Sequence, residues 1–176
     1  MRRAGRKGKC RGMEPPLARA LAALTTGIYV LTVRDGDRRH GMSSSWVVQV
    51  SGDPPLVLAS VDRRHFTHDI LARTRRFALN VVGKRGRQLE DYFFSAASHR
   101  PDNLDQVAWD DSPDALPLLR DAMLSLECLV QQSVEAGDHT LFVARVERVT
   151  VRADDRPLTS QDLDYIYVGE VVRRPR

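Results

Sequence analysis

The sequence predicts a mainly β protein with short helices, built as a closed antiparallel barrel. Three observations point there. Six or so runs rich in β-branched and aromatic residues are joined largely by hairpin turns. No strand–helix–strand series is long enough for a doubly wound sheet. The dinucleotide fingerprint Gly-x-Gly-x-x-Gly is absent, and the nearest glycine cluster, Gly83-Lys84-Arg85-Gly86, follows a strand with the wrong spacing.

The elements follow in order. Pro15-Pro16 lead into Leu17 to Leu24, an Ala/Leu-rich helix with Leu17, Leu21 and Leu24 on one face, stopped by Thr25-Thr26-Gly27. Ile28 to Val33 is β-branched and aromatic and predicts the first strand. A polar turn from Arg34 to His40 precedes a second strand, Gly41 to Val50, which Asp53-Pro54-Pro55 ends because proline cannot donate to a ladder. Leu56 to Val61 is the third strand, Phe66 to Ala72 a short helix, and Phe77 to Val82 the fourth strand. Arg87 to Phe94 suits another short helix, and a long polar loop runs from there through Pro117. From Met123 the chain alternates, with Leu124, Leu126, Cys128 and Val130 facing one way and Ser125, Glu127 and Leu129 between them. Gly137-Asp138 interrupts, Thr140 to Val151 resumes as the longest strand, and Tyr165 to Val168 adds a last short one.

Composition bounds the function classes. At 176 residues, 42% apolar and 28% charged, the chain is a single globular domain large enough for its own core. Residues 1–12 carry six basic side chains and no acidic one, so residues 13–176 hold 21 basic against 23 acidic groups, a net charge of −2. The basic pI therefore belongs to one end, which reads as a disordered extension ahead of a domain at 13–176, with Met13 a candidate alternative start. A nucleic-acid partner is not expected from a domain of that charge. The longest apolar stretches fall far short of the roughly 18 residues that span a bilayer, so no membrane segment is expected. Cys10 and Cys128 make no disulfide scaffold, which points to a reducing, cytoplasmic setting.

Four stretches are more polar than a barrel wall needs. Met42-Ser43-Ser44-Ser45-Trp46 places three consecutive hydroxyls inside an apparent strand, either a solvated edge or a wall of small donors for a polar, planar ligand. No Gly-x-Ser-x-Gly elbow accompanies them, which excludes that kind of serine hydrolase. Ala59-Ser60-Val61-Asp62-Arg63-Arg64, with Thr67 beyond, runs from a strand end into a helix start, where arginines and backbone amides suit a phosphate. His65 and His68 stand three apart without a third ligand, so no metal site is expected. Lys84 leaves a strand end, and His139 follows the Gly137-Asp138 turn, reading as either a solvent-facing turn residue or one aimed over the barrel rim.

In order along the chain, Leu24-Thr-Thr-Gly-Ile-Tyr-Val-Leu-Thr32, Gly41-Met-Ser-Ser-Ser45, Gln49-Val-Ser-Gly-Asp-Pro-Pro-Leu-Val57, Phe77-Ala-Leu-Asn-Val-Val82, Leu126-Glu-Cys128 and Gly137-Asp-His-Thr-Leu-Phe142 resemble the flavin reductase-like family of FMN-binding split barrels. The resemblance covers about Leu17 to Gly169 and implies a split, antiparallel Greek-key barrel. It further implies an NAD(P)H-dependent flavin reductase that passes hydride from NADH or NADPH to FMN, or to FAD. The protein would be a homodimer supplying reduced flavin to a monooxygenase partner. Carried over, Met42 to Trp46 line the flavin ring, Ala59 to Arg64 with Thr67 meet its ribityl chain and phosphate, Lys84 adds a cation, and His139 positions the nicotinamide. A split-barrel protein using another donor, or binding flavin without turnover, is the alternative. The sequence departs from the family pattern at His40, where an Asn commonly precedes Gly-Met, and at Ala144, where glycine is common.

Overall fold

The computed structural model describes residues 13–173; the extension expected at 1–12 lies outside them. In chain order the elements are helix α1 (Pro15–Leu21) and strands β1 (Tyr29–Asp35), β2 (Arg38–Ser44), β3 (Val47–Gly52) and β4 (Pro55–Asp62). Helix α2 (Phe66–Thr74), strand β5 (Arg76–Val81), helix α3 (Arg87–Phe93) and the short strands β6 (Trp109–Asp111) and β7 (Pro117–Leu119) follow. The long strands β8 (Leu124–Ala136) and β9 (His139–Val151) come next, then the hairpin β10 (Tyr165–Tyr167) and β11 (Val171–Arg173).

Seven strands form one antiparallel sheet in the order β2-β1-β5-β8-β9-β4-β3. Its two edges, β2 and β3, are consecutive in the chain and separated only by Ser45 and Trp46. So short a link forces the sheet to curl until its edges meet without pairing. The result is a split barrel. The strand expected over Gly41 to Val50 is thus two strands: Ser44 pairs with Tyr29 of β1, whereas Val47 pairs with Ala59 of β4. Residue propensity carries no signal for a change of partner within one β-prone run.

The barrel interior holds Leu31, Val33, Phe77, Leu79, Cys128, Val130, Phe142 and Ala144, and α2 contributes Ile70 and Leu71. A second core, with Ile28, Val30, Val82, Leu89, Phe93 and Leu104, packs α3 and the segment after it against β1 and β5. Strand β1 is therefore buried on both faces, which explains why Tyr29 to Val33 carries a single polar residue, Thr32. Asn80 stands between the layers as a hydrogen-bonded hub. Its Nδ2 donates to Val30 O and Thr32 Oγ1 (both 3.0 Å), and its Oδ1 accepts from Leu119 N (2.9 Å) and Ser125 Oγ (2.7 Å).

Three expectations are corrected. The leucine stripe expected over Leu17 to Leu24 does not hold: α1 ends at Leu21, Leu17 and Leu24 are 52% and 63% exposed, and Ala18 with the half-buried Leu21 packs on Ile166 and Val168. The polar turn narrows to Gly36-Asp37, so His40 lies inside β2 and is fully buried. The alternation of β8 breaks at a bulge between Glu127 and Cys128, and Ser125 and Glu127 are buried. Glu127 accepts from Arg148 Nη2 at 3.1 Å, and Leu116, from within the expected loop, with Leu118 just beyond it covers the neighbouring Ala78.

Candidate active site

The site lies where the barrel splits. A cavity of about 350 Å³ opens beside the Ser45-Trp46 link. Strand β2 contributes Met42, Ser43 and Ser44 to its wall, and the link adds Ser45 and Trp46. Ser60 N donates to Trp46 O at 3.0 Å, fastening the link to β4. Alternation along β4 turns Ser60 and Asp62 toward the cavity and buries Ala59 and Val61 in the barrel. Gly41 has no side chain to spare: a Cβ there would lie 2.5 Å from the Phe93 ring, which packs across β2 to form part of the cavity floor.

An aromatic wall faces the serines. His139 opens β9 opposite Asp62, and its ring lies 4.7 Å from Trp46, which in turn sits 5.7 Å from Tyr167. His139 is only 6% exposed, so it is not a solvent-facing turn residue: it lines the cavity, Trp46 packs on it, and its Nδ1 is 2.7 Å from Asp138 Oδ1. Tyr165 stacks on Phe94 at 4.4 Å with its hydroxyl on Glu90 Oε1 at 2.8 Å, while Glu90 Oε2 accepts from Ser43 Oγ. Burial raises the Glu90 carboxyl above its ordinary range, opposed by those two hydroxyl bonds.

At the α2 end, His65 Nδ1 accepts from Thr67 N at 3.3 Å, so its neutral ring keeps Nε2 as the donor; burial lowers its pKa. Beneath it His40 Nε2 donates to Arg100 O at 3.0 Å and its Nδ1 accepts from Thr67 Oγ1 at 2.9 Å. Burial holds the His40 pKa down at about 4. Asp62 is held near 2 by hydrogen bonds from Arg64, whose side chain folds back onto it at 2.7 Å.

The structure therefore brings together Met42, Ser43, Ser44, Ser45, Trp46, Ser60, Asp62 and His139 from the sequence-derived set. It does not bring the others. Ala59 and Val61 point into the core because a strand alternates. Arg63 donates to Gly137 O at 2.6 Å and braces the β8–β9 turn. Arg64 neutralises Asp62, Thr67 is wholly buried beneath His40, and Lys84 pairs with Asp162 at 3.1 Å. Sequence reasoning missed Glu90, Phe93 and Phe94 on or beside α3, Ser98 and His99 beyond it, and Tyr165 and Tyr167 of the last hairpin. One signal was available: an acid beside the apolar Leu89 and Phe93 in a short helix has to be solvated or partnered.

The geometry is matched by comparison with known proteins. Residues 21–169 match the family described as flavin reductase like domain. The chain is 36% identical over 159 residues to the NADH-dependent FMN reductase AsuE2 of Streptomyces nodosus subsp. asukaensis, covering 84% of this chain and 83% of that one. It is 29% identical over 157 residues to a high molecular weight rubredoxin of Moorella thermoacetica, covering 88% of this chain but 66% of that longer protein. Among solved structures, the NADH:FAD oxidoreductase SgcE6 of Streptomyces globisporus superposes with a TM-score of 0.75 at 29% identity, covering 86% of this chain and 93% of that one. A family match across most of the chain, on a split barrel with its cavity at the split, settles the kinship: the chain belongs to the flavin reductase-like family.

Proposed function

We propose that the protein is an NADH-dependent flavin reductase that takes FMN, with FAD a further substrate, at the cavity beside Ser45-Trp46. One observation carries the reading: a wall of small hydroxyl side chains, Ser43 to Ser45 and Ser60, faces an aromatic wall of Trp46, His139, Tyr165 and Tyr167. Such a slot fits a planar ring with polar edges, because the aromatic wall stacks and the serines meet the edge atoms. AsuE2 is named for NADH and FMN, and SgcE6 has been solved with NAD and FAD fragments, which supports the same pair of ligands here.

A bound flavin supplies the chemistry, accepting hydride from the nicotinamide. The protein supplies position. Ser43, Ser44 and Ser45 orient the ring edge, Trp46 and Tyr167 stack and exclude water, and His139 presents an immobilised imidazole to the nicotinamide. His65 and Ser60 serve the ribityl and phosphate end, since Arg63 and Arg64 are engaged with Gly137 and Asp62. No side chain needs to act as nucleophile or base.

Reduced flavin passes to a monooxygenase partner, as the family resemblance implies, and the protein works as a homodimer. A cytoplasmic setting is the reading we take, because two cysteines make no disulfide scaffold; the Cys128 thiol is itself buried and pushed up to about 12. Among the described residues no helix is long and apolar enough to cross a membrane. The domain spans residues 13–176, with residues 1–12 a dispensable extension. Anaerobic titration of the purified protein with FMN and then NADH tests the activity. Quenched flavin fluorescence followed by bleaching of the flavin spectrum is expected. Binding without bleaching would make the protein a flavin carrier, and no binding would defeat the reading.

A further inference from the structure

Glu90 is a carboxylate built into the cavity wall at 2% exposure. Both of its oxygens accept hydroxyl hydrogen bonds, one from Ser43 and one from Tyr165, and these favour the ionised form against the burial that raises its pKa. Among the described residues it forms no ion pair. Arg87, which attracts it from one turn away, is itself 44% exposed and sits 3.8 Å from Asp91. The net result is a buried negative charge, screened by two hydroxyls and facing the slot. A tie between β2 and the last hairpin does not need that charge, since a neutral amide would bridge the same two hydroxyls.

The charge matters because of what reduction does to a flavin. The C4–H bond of the dihydronicotinamide breaks, and its electron pair and hydrogen together form an N–H bond on the flavin ring. The donor leaves as a nicotinamide cation, and the ring, neutral before, holds one added negative charge. We propose that Glu90 sets the redox preference of the site: its carboxylate repels the reduced, anionic flavin but not the oxidised, neutral one, and so drives release of the reduced product. The inference rests on the flavin reading above and deepens it. A charge in a cavity walled by aromatic rings is weakly screened, so like-charge repulsion across the slot is worth about tenfold in affinity.

The test is the midpoint potential of protein-bound FMN, measured anaerobically against a reference dye, together with the affinity for oxidised FMN by fluorescence. In Glu90→Gln reduced FMN should bind about tenfold more tightly, raising the midpoint potential by about 30 mV for this two-electron couple. Oxidised FMN should bind nearly as before. Glu90→Asp, which keeps the charge, should hold the low potential. Should Glu90→Gln fail to fold, Glu90→Leu carries the test, because it removes the charge and suits the apolar Leu89 and Phe93 beside it; its potential should rise as well. A potential that stays put or drops in Glu90→Gln, or in Glu90→Leu where that variant is used, overturns the proposal while FMN binding itself stands. If the unmodified protein binds FMN in neither redox state, the functional reading fails and takes the proposal with it.

Discussion

Two histidines, one at the start of β9 and one inside β2, end in opposite circumstances. His139 is locked on one side by Asp138 and on the other by the Trp46 ring, so its imidazole enters the cavity wall in one orientation. If that orientation guides the nicotinamide, His139→Ala should lower kcat/KM for NADH roughly 10-fold, about 1.4 kcal/mol of transition-state stabilisation. FMN affinity should change far less, because the serine wall is intact; unchanged NADH kinetics would leave His139 only a packing partner for Trp46. His40 never reaches the ligand. It is wholly buried, neutral, and committed to Thr67 and Arg100, with its pKa lowered from 6.5 to about 4 by burial. Below pH 6.5 the unfolded chain takes up a proton that the folded chain refuses until about pH 4, so stability is full above that window and is lost as pH falls through it. The loss attributable to this residue is about 3 kcal/mol in all. Urea unfolding at pH 7 and pH 4.5 should show a larger loss in the native chain than in His40→Asn, which is neutral at that position throughout while His65 still contributes; equal losses in both would assign the pH dependence elsewhere.

At the scale of elements, most strands were legible because their physics is local. β1, β4, β5 and β9 are runs of β-branched and aromatic residues bounded by Gly, Asp or Pro, and their bounds fall within a few residues of the expectation. The break at Ser45-Trp46 was not legible, since both halves of that run are β-prone and only their partners differ. The same limit hid half of the site. Met42 to Trp46, Ser60, Asp62 and His139 were found from hydroxyls and turn chemistry, whereas Glu90 and Phe93 arrive from α3, which is distant in sequence and reads as an ordinary short helix. The placement of α3 depends on Gly86 at its N-terminus: a Cβ there would lie 2.6 Å from the backbone oxygen of Asp121, which no rotamer change can relieve. Gly86→Ala should therefore displace the helix and cost about 1–3 kcal/mol. A calorimetric or urea titration of that variant checks it, and FMN affinity should weaken in parallel as Phe93 and the cavity floor move. Native stability in the variant would show that the Asp121 turn gives way instead.

For the whole molecule, the segment 1–12 and the outer sheet face decide what the working unit is. A chain beginning at Met13 should keep its melting temperature and its FMN affinity, because the barrel core is drawn from residues well after that point; a chain that fails to fold would refute that. The outer face is the stronger constraint. β3 is an edge strand, with Val48 55% exposed and Val50 48% exposed. Register carries the row onward from Val48 to Leu58 of β4 and Val143 of β9, with Leu141 and the 41% exposed Val134 of β8 alongside. That is a continuous apolar strip on a sheet face, the kind of surface a stable monomer does not leave open. Ser60 lies on β4 within the same outward-facing alternation, two residues from Leu58, and also lines the cavity, so the strip runs up to the mouth of the site. A second copy placed there would bury the valines and finish the cavity wall in one step, making dimerisation and flavin binding a coupled equilibrium. Light scattering should accordingly give about 40 kDa, twice the 19.8 kDa of one chain. Val48→Lys, which sets a charge in the middle of the strip, should shift the mass toward the monomer and weaken FMN binding together. A native chain that scatters as 20 kDa at micromolar concentration, or a monomeric Val48→Lys that binds FMN as well as the native protein, would uncouple the two and place the whole site within one barrel.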